Sequence, residues 1–383
     1  MRKFFLLIGM LILFQAGFSQ AWIQRTNFGG VGRHRSSAFA IGNRGYVGLG
    51  HVNGNNINIA YKDWWSYDPS SDSWTQVADY PTLNYGAISF ATSTRGYAGG
   101  GAFLGSEFYE YNPQTNTWTA IQNCPSTPGD QGCFVVNNKG YVIFANNLYE
   151  YDPATGNWTT KQSAPISFAT WCVGFNVGAS GYIKSGATLY EYKPLNDQWL
   201  LKSNFPGLAT NSSGAFVRDG KAYIVTGFVG SLTNVTSEVW EYNPGNNVWS
   251  QMNDFPGTSR RFSVAFTINN RGYFGTGTNG INLNDFWELN DNVSVNDLSS
   301  TKVRVNAFPN PATAYVKFTI QGMNIEKAAE VRMYSASGEL NDVVTVADQS
   351  CEILRNGKAD GIYIYQVLLD GKTISTGKII FGE

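Results

Sequence analysis

One phrase recurs along most of this 383-residue sequence and restricts the folds open to it. A complete copy has an aromatic residue, any residue, Tyr, then Asp or Asn, then Pro, and a Trp follows the proline. Five copies begin at Trp65, Tyr109, Tyr149, Tyr190 and Trp240, and the fourth has Lys193 before its proline. A sixth copy, residues 286–290, has no proline and no following Trp. Self-similarity at this period indicates one supersecondary unit that is repeated and stacked.

A second phrase precedes each copy: a Tyr that opens a short strand and follows Gly in five of six cases. These residues are Tyr46, Tyr97, Tyr141, Tyr182, Tyr223 and Tyr273, at intervals of 51, 44, 41, 41 and 50 residues. Each unit therefore holds an apolar strand, the Gly-Tyr strand, the Tyr-Asp-Pro strand and the Trp strand. The Asp/Asn-Pro turn reverses the third strand into the fourth. Four such strands predict one blade of a β-propeller.

The composition supports an all-β chain and excludes several other classes. The sequence has 42 Gly and 15% aromatic residues but only 14% charged residues. Gly and aromatic residues are typical of short strands joined by tight turns, whereas disordered chains and coiled coils carry more charge. The formal net charge of −1 gives no electrostatic footprint for a nucleic acid, so we expect no such partner.

The strand count predicts how the repeat array closes. Six Gly-Tyr strands are present, but only five Trp strands follow a complete third-strand phrase. Trp22-Ile23-Gln24 near the amino terminus supplies the missing strand. If it completes the last blade, the ring is sealed by its two ends and no edge is left unpaired. We therefore expect six blades over residues 20–292.

These phrases resemble the kelch repeat family, whose blades carry a glycine-ended second strand followed by Tyr and Trp at spaced positions. The resemblance covers about 270 residues. Only the second unit keeps the family's adjacent glycines, Gly99-Gly100-Gly101, and the third and fourth units lack them. The resemblance implies a kelch-type propeller, in which the repeated Tyr and Trp pack between blades. It implies much less about function, because one fold hosts many activities.

The first 19 residues predict a secretory signal peptide. Arg2 and Lys3 precede an apolar run, residues 4–14, and small residues follow up to Ser19. A membrane anchor is the alternative, but this run is too short to span a bilayer. No later apolar run is long enough, so we expect no transmembrane segment in the mature chain. The expected location is secreted, or the outer membrane and cell surface.

Export changes how the four cysteines are interpreted, because disulfides persist outside the cytosol. Cys124 and Cys133 flank a Pro/Gly loop, and the sequence is compatible with either a disulfide between them or two free thiols. Cys172 and Cys351 lie in different parts of the chain, and we expect them to be free. There is no CxxC motif, so neither a zinc site nor a thioredoxin-type redox site is predicted.

The carboxyl-terminal part predicts a second domain. After a polar linker at residues 293–302, alternating apolar residues over 303–383 indicate a small β-sandwich. The runs Phe308-Pro309-Asn310-Pro311-Ala312, Tyr334 to Gly338, Gly361-Ile362-Tyr363 and Gly377 to Ile380 resemble the type A sorting domain of the type IX (Por) secretion system. This resemblance implies the type IX machinery as a partner. An ordinary adhesive sandwich module is the alternative.

The loops before each first strand are the predicted ligand face, where kelch propellers commonly meet ligands. The candidates on this face are Arg33, His34, Arg35, Tyr85, Asp130, Trp171, Arg260 and Arg261. The first and last blades adjoin in a closed ring, so their arginines are expected to come together. Arginines beside aromatic rings can bind a carboxylate or an acidic sugar. The alternative is that these arginines pair with loop acids or face solvent.

Two classes of function remain at this point. The first is a surface binding protein that holds a glycan or a protein on the loop face, and it is our expectation. The second is an enzyme resembling the sialic-acid epimerases or, less closely, galactose oxidase. Only His34 and His51 are present as histidines, and no Ser/His/Asp order, HExxH motif, P-loop or EF-hand loop occurs. We therefore predict no catalytic residue, metal site or cofactor.

Overall fold

The computed structural model describes residues 21–54, 57–290, 304–321, 329–346, 349–369 and 372–382. The predicted signal peptide, residues 1–19, and the predicted linker, residues 293–302, lie outside these ranges. The chain forms two compact units, one within residues 20–290 and one in the carboxyl-terminal part from residue 291 onwards. Both units are built from β-strands, and the only helix in the described ranges is α1 (Gly101–Leu104).

The amino-terminal unit contains 28 strands, most of four to six residues. In chain order they begin with β1 (Ala21–Arg25), β2 (Ser37–Ile41), β3 (Arg44–Gly48), β4 (His51–Gly54), β5 (Ile57–Ala60), β6 (Trp64–Asp68), β7 (Ser73–Val77), β8 (Ile88–Ala91), β9 (Gly96–Gly99), β10 (Phe108–Asn112), β11 (Thr117–Ala120), β12 (Cys133–Val136), β13 (Lys139–Phe144) and β14 (Asn147–Asp152). They continue with β15 (Asn157–Lys161), β16 (Val173–Val177), β17 (Ser180–Ser185), β18 (Thr188–Lys193), β19 (Gln198–Leu201), β20 (Gly214–Arg218), β21 (Lys221–Val225), β22 (Phe228–Val229), β23 (Ser231–Val235), β24 (Val239–Asn243), β25 (Val248–Gln251), β26 (Val264–Ile268), β27 (Arg271–Gly275) and β28 (Phe286–Asn290).

These strands form six antiparallel sheets of four strands each. They are sheet 1 (β2-β3-β6-β7), sheet 2 (β8-β9-β10-β11), sheet 3 (β12-β13-β14-β15), sheet 4 (β16-β17-β18-β19), sheet 5 (β20-β21-β24-β25) and sheet 6 (β26-β27-β28-β1). The first strands pack side by side from β2 through β8, β12, β16 and β20 to β26, and β26 contacts β2. The six sheets therefore follow one another around a closed ring, as in a β-propeller.

The amino-terminal strand completes sheet 6. β1 pairs antiparallel with β28, with Trp22 opposite Leu289. The Trp22 indole also packs edge-on against Phe255, at 5.1 Å between ring centroids, and against Phe216 and Phe274. The strand that the sequence assigned to this place, Trp22-Ile23-Gln24, thus joins the two ends of the ring.

The repeated glycine before each second-strand Tyr has a steric reason. A Cβ atom on Gly140 would lie 2.2 Å from the ring of Phe90, which projects from the first strand of the preceding sheet. The same contact recurs at Gly45, Gly96, Gly181 and Gly272. At these five positions a phenylalanine ring fills the space that a side chain would need, so glycine lets neighbouring sheets approach closely. The equivalent position of sheet 5 has the small residue Ala222, buried in the same core as Phe175.

The repeated Tyr and Trp also have structural partners. The third-strand hydroxyl of Tyr67 donates to Asp72 at 2.6 Å, and Tyr111, Tyr192 and Tyr242 bond the residue five positions later in the same way. The Trp118 indole donates to the backbone oxygen of Ala78 at 3.1 Å, and Trp74, Trp158, Trp199 and Trp249 have equivalent bonds. These side chains hold turns and neighbouring sheets together.

The four cysteines are free thiols. The disulfide considered between Cys124 and Cys133 is therefore not formed, because the two side chains have separate environments. Cys124 is buried beneath its loop, where its backbone N–H donates to Ser106. The Cys133 thiol donates instead to the backbone oxygen of Ser89 in sheet 2, at 3.1 Å.

The carboxyl-terminal unit has two antiparallel sheets. Its strands are β29 (Arg304–Phe308), β30 (Tyr315–Gln321), β31 (Ala329–Ser335), β32 (Leu340–Thr345), β33 (Ser350–Leu354), β34 (Gly361–Leu369) and β35 (Lys372–Phe381). Their orders are β29-β30-β33 and β32-β31-β34-β35. Val316 and Phe318 of the first sheet share one apolar core with Val331, Met333 and Val367 of the second. Within the described part of the whole chain, no helix has the length and apolar character needed to cross a membrane.

Candidate functional site

Six backbone hydrogen bonds form a closed ring at one end of the six sheets. One residue before each first strand has a positive φ, and its N–H donates to the carbonyl of its counterpart in the preceding sheet, at 2.5 to 3.2 Å. We call these residues the mouth ring: Arg35, Gly86, Asp130, Trp171, Ser212 and Phe262. The ring encircles a central cavity of about 210 Å³, which the mouth ring and small residues of the first strands line together.

Arg35 and Asp130 form an ion pair across one side of the mouth, between sheets 1 and 3. Arg35 Nε donates to Asp130 Oδ1 at 2.8 Å, and Nη2 donates to Oδ2. The guanidinium lies 4.6 Å from the centre of the Tyr85 ring. Gly86 lies beneath the pair, where a Cβ atom would be 2.6 Å from Asp130 Oδ1. Burial lowers the pKa of Arg35, and the aspartate supplies the charge that this partly desolvated cation needs.

Arg33 and Arg260 correct the expectation that all four loop arginines lie on the ligand face. Both side chains are fully buried, and each forms a two-point ion pair with an aspartate of its own sheet. Arg33 donates to Asp63 at 2.5 and 2.9 Å, and Arg260 donates to Asp285 at 2.5 and 2.6 Å. These two arginines stabilise the loops from within, because a buried charge requires a close partner.

Arg261 differs from the other three arginines. No acidic side chain pairs with it among the described residues. Its Nε and Nη1 atoms are buried without a hydrogen-bond partner, although the side chain as a whole is partly exposed. The guanidinium lies 5.6 Å from the ring of Phe262 in the mouth ring, and burial lowers its pKa. Arg261 is thus a cation beside the mouth whose Nε and Nη1 donors are unsatisfied.

The two histidines lie together next to this arginine and Arg35. The ring centroids of His34 and His51 are 4.3 Å apart, and His51 stacks on Tyr85 at 3.9 Å. The Nδ1 atoms lie 2.6 Å from Asn282 Oδ1 for His34 and 3.0 Å from Asn58 Oδ1 for His51. An amide oxygen can only accept, so each Nδ1 carries the proton and each Nε2 is left as an acceptor. His51 Nε2 is buried without a partner.

Both imidazoles are neutral near pH 7. Burial is the largest cause and lowers the pKa of His34 to about 4, and the charges of His51, Arg35 and Arg261 act in the same direction. The hydrogen bond with Asn282 opposes this shift. Burial also lowers the pKa of His51, with a further contribution from Arg35. The cluster therefore offers neutral acceptors beside two arginines.

Aromatic side chains also line the mouth. Trp171 and Phe262 both line the central cavity, and their rings meet edge-on with centroids 5.5 Å apart. Trp171 also contacts Phe228 at 5.6 Å, and its buried indole N–H has no hydrogen-bond partner. Flat rings beside a cavity provide stacking surfaces for an apolar or sugar face.

The structure thus brings Arg35, Tyr85, Asp130 and Trp171 to the mouth and places His34 and Arg261 beside it. Sequence reasoning missed Phe262, Gly86, Asn282 and the proximity of His51. A signal for the mouth ring was present: each of its members lies eleven positions before its second-strand Tyr. A strict count from Tyr273 gives Phe262, and the same count from Tyr97 gives Gly86 rather than Tyr85. No comparable signal marks Asn282, which reaches His34 through the fold.

No set of three or more His, Cys, Asp or Glu side chains is placed to hold a metal ion in the ranges that the structure describes. The donors and acceptors at the mouth are instead guanidinium groups, imidazoles, an indole and one carboxylate. Such a set can hold an anion with Arg261, accept hydrogen bonds from hydroxyl groups at the histidines and stack a ring on Trp171.

Comparisons with known proteins support the fold and not the ligand. A family model described as the Kelch motif matches residues 209–256, which include all of sheet 5. No curated protein matches the sequence. A solved structure titled "Structure of YjhT" is 15% identical, with a TM-score of 0.59, over 68% of this chain and 95% of that chain. The chain therefore contains a Kelch motif and shares a kelch-type propeller fold. A sequence identity of 15% does not indicate that the two proteins have the same activity.

Proposed function

We propose that this protein binds an acidic glycan at the mouth of its ring of sheets. The carboxylate of one sugar residue pairs with Arg261, its hydroxyl groups donate to the histidine cluster, and its ring stacks on Trp171 or Phe262. The central cavity below this site has a volume of about 210 Å³. No reaction is part of this proposal, and the protein is a binding module.

The unpaired state of Arg261 is the observation that carries the proposal. Arg33, Arg35 and Arg260 each have an aspartate partner, whereas Arg261 has none in the part of the chain that the structure describes. A buried donor without a partner costs roughly 1–3 kcal/mol, and more when it is charged. A fold that satisfies three neighbouring arginines and leaves the fourth unsatisfied indicates a site for an external anion.

The aromatic side chains favour a sugar over an inorganic anion. A phosphate ion would need only donors, but the mouth also offers the Trp171 ring and, beside Arg261, the acceptor Nε2 of His34. A sugar acid uses all three kinds of contact, because it has a carboxylate, hydroxyl donors and an apolar ring face. An acidic protein loop is the competing ligand, and the experiment below includes it.

The architecture and the route of export belong to the same proposal. We take the six sheets to be six kelch blades and the carboxyl-terminal unit to be a β-sandwich that addresses the chain to the type IX secretion machinery. The protein would then meet its glycan outside the cell or at the cell surface. Deleting residues 303–383 should leave the chain in the periplasm of a host with this machinery. Normal export of the deleted chain would contradict the sorting role.

A glycan array tests the binding proposal. The whole chain from residue 20 onwards is applied to immobilised uronic-acid-terminated glycans, neutral glycans and acidic peptides. We expect binding to the uronic-acid group only, and we expect Arg261→Ala to weaken it at least about tenfold, as for the loss of a charge-assisted hydrogen bond. Arg44→Ala is the matched control, because Arg44 pairs with Asp68 at the opposite end of sheet 1.

The outcomes separate the ligand classes. Binding that survives Arg261→Ala would show that the anion does not reach this residue. Binding to acidic peptides in place of glycans would reject the sugar and favour a protein partner. Equal weakening by Arg261→Ala and Arg44→Ala would indicate loss of bulk charge instead of a site.

One observation supports a second candidate function, an enzyme that acts on the same sugar. His34 is a neutral imidazole with a free Nε2, and it lies beside the arginine that would hold the carboxylate. A base in this position could remove a proton from a bound sugar acid. Incubation of the uronic acids that bind with the protein in deuterium oxide distinguishes the two: deuterium in the recovered sugar, lost in His34→Gln, would establish the enzyme.

A further inference from the structure

The wall around the mouth is uneven, because the loops between second and third strands differ greatly in length. In sheets 1, 2, 5 and 6 these loops span residues 49–63, 100–107, 226–238 and 276–285. The first carries the hairpin β4–β5, the second α1 and the third the hairpin β22–β23. In sheets 3 and 4 the loops are two-residue turns, residues 145–146 and 186–187. We call the part of the wall over these two adjacent sheets the low rim.

Backbone hydrogen bonds fix the two short turns of the low rim to neighbouring loops. The carbonyls of Ala145 and Asn146 accept from the N–H groups of Phe168 and Ala164, at 3.0 and 2.7 Å. The carbonyl of Ala187 accepts from Phe205 at 2.8 Å. Each short turn is therefore tied to the loop that leaves its own sheet. The low rim is a fixed feature of the surface.

The low rim also lacks charge. The loops that leave sheets 3 and 4, residues 162–172 and 203–213, contain no Asp, Glu, Lys or Arg, and neither do the two turns. The exposed residues of the turn 145–146 and of the loop before Trp171 include no charged side chain: Asn146, Pro165, Ile166, Ser167, Ala169 and Thr170. The opposite part of the mouth carries Arg35, His34 and Arg261. In a ring of six sheets, sheets 3 and 4 lie across the mouth from sheets 6 and 1.

This arrangement has one charged side and one low, neutral side. Trp171 of sheet 4 lies between them, because its ring contacts Phe228 and Phe262. A ligand whose anionic end is held by Arg261 must leave the mouth in some direction. The long loops between the second and third strands of sheets 1, 2, 5 and 6 obstruct an exit over each of these four sheets. Only the low rim offers a path that does not rise over a loop. Over sheet 3 this path passes the Arg35–Asp130 pair, whose charges neutralise each other, and over sheet 4 it passes Trp171 and uncharged residues.

We propose that the low rim is the exit path for a neutral oligosaccharide chain attached to the acidic sugar in the mouth. The inference rests on the proposed function and names its ligand more closely: a chain of neutral sugars with one acidic residue at its end, rather than a free sugar acid or a polyanion. The acidic sugar stacks on Phe262 beside Arg261, Trp171 stacks the next sugar, and the Asn, Ser and Thr side chains beyond it hydrogen-bond to hydroxyl groups. A polyanionic chain would gain nothing on this neutral surface.

The experiment compares ligand lengths. Binding of glucuronic acid is measured by calorimetry beside that of a trisaccharide and a hexasaccharide of neutral hexoses with one terminal glucuronic acid. We expect the trisaccharide to bind at least about tenfold more tightly than the monosaccharide, as for one additional stacked sugar. A variant with Gly-Asn-Gly-Ser inserted between Gly186 and Ala187 raises the low rim. It should lose this advantage and keep the affinity for glucuronic acid.

A matched insertion controls for effects on folding. The same four residues are inserted after Gly156, in the turn between β14 and β15 at the far end of sheet 3. This variant should keep the preference for longer chains. Equal affinities for all lengths, or an insertion at Gly186 that weakens the monosaccharide as much as the hexasaccharide, would overturn the low rim as an exit path while leaving the site intact. Failure of all three sugars to bind would reject the proposed function, and this inference with it.

Discussion

Arg35 of sheet 1 pairs with Asp130 of sheet 3 by passing over Gly86 of sheet 2. The two residues are 95 positions apart, and the contact between their side chains exists only because the sheets follow a closed ring. The pair narrows one side of the mouth, and Asp130 neutralises the charge of Arg35. The free charge at the mouth is therefore that of Arg261.

Gly86→Ala should displace the Arg35–Asp130 pair. Gly86 has a φ of +64°, and its new Cβ would lie 2.6 Å from Asp130 Oδ1. The backbone conformation alone costs an alanine roughly 1–2 kcal/mol, and the displaced carboxylate adds to this. Gly156→Ala is the control, because Gly156 has a φ of +72° with nothing within 4 Å of a Cβ. Urea unfolding should show the larger loss for Gly86→Ala, and equal losses would contradict the steric argument.

Asp63→Ala should destabilise the protein by roughly 3 kcal/mol, because it leaves the fully buried Arg33 without its carboxylate partner. Replacing both residues, Arg33→Met with Asp63→Ala, should recover part of this loss, since no buried charge then remains. Asp79→Ala removes an exposed partner of Lys62 and should cost less than about 1 kcal/mol. Equilibrium unfolding of the three variants measures these differences. A double variant as unstable as Asp63→Ala would contradict a charge-based cause.

Stability should fall as the pH drops from about 6.5 to 4, and His34 should account for part of the loss. The unfolded histidine takes up a proton near pH 6.5, whereas burial and the neighbouring charges lower the pKa of folded His34 to about 4. Between these values protons bind preferentially to the unfolded state. The contribution of neutral His34 to the free energy of unfolding, about 3 kcal/mol, is therefore complete above pH 6.5 and is lost progressively as the pH falls to about 4.

The two histidines of the chain make this prediction accessible to NMR. The imidazole resonance of His34 should not titrate until about pH 4, and His34→Gln should flatten the dependence of stability on pH between 6.5 and 4. His51→Gln distinguishes the two signals. A His34 resonance that titrates near pH 6.5 would show that the ring is not buried among these charges.

Trp22→Ala should open the junction between the two ends of the ring. The indole packs against Phe216, Phe255 and Phe274, so its removal leaves a cavity and should cost about 3 kcal/mol. Trp118→Ala provides a comparison within sheet 2, where neighbouring strands are adjacent in sequence. We expect Trp22→Ala to increase proteolysis after residue 25 more than Trp118→Ala does. Equal sensitivity to protease would contradict a special role for the junction.

The repeating part of the fold could be predicted because the same contacts recur in every copy. A phenylalanine over Gly140 and a hydroxyl bond from Tyr67 to Asp72 depend on residues at fixed spacings, and the sequence shows these spacings directly. The pairing of Trp22-Ile23-Gln24 with β28 followed from counting strands. The disulfide between Cys124 and Cys133 was considered from the predicted export and from their spacing across a Pro/Gly loop, but the two thiols have separate environments.

The amino-acid sequence by itself thus determined the antiparallel four-stranded units, because side-chain alternation, turn residues and inter-sheet packing act over short and repeated distances. It also placed the arginines at the loops before the first strands. Only the tertiary structure decided which of them is free. Asp63, Asp130 and Asp285 lie 25 to 95 residues from the arginines that they neutralise, and charge pairing depends on distance in space. Arg33, Arg35, Arg260 and Arg261 are alike in the sequence, and the closed ring of sheets leaves only the last without an aspartate.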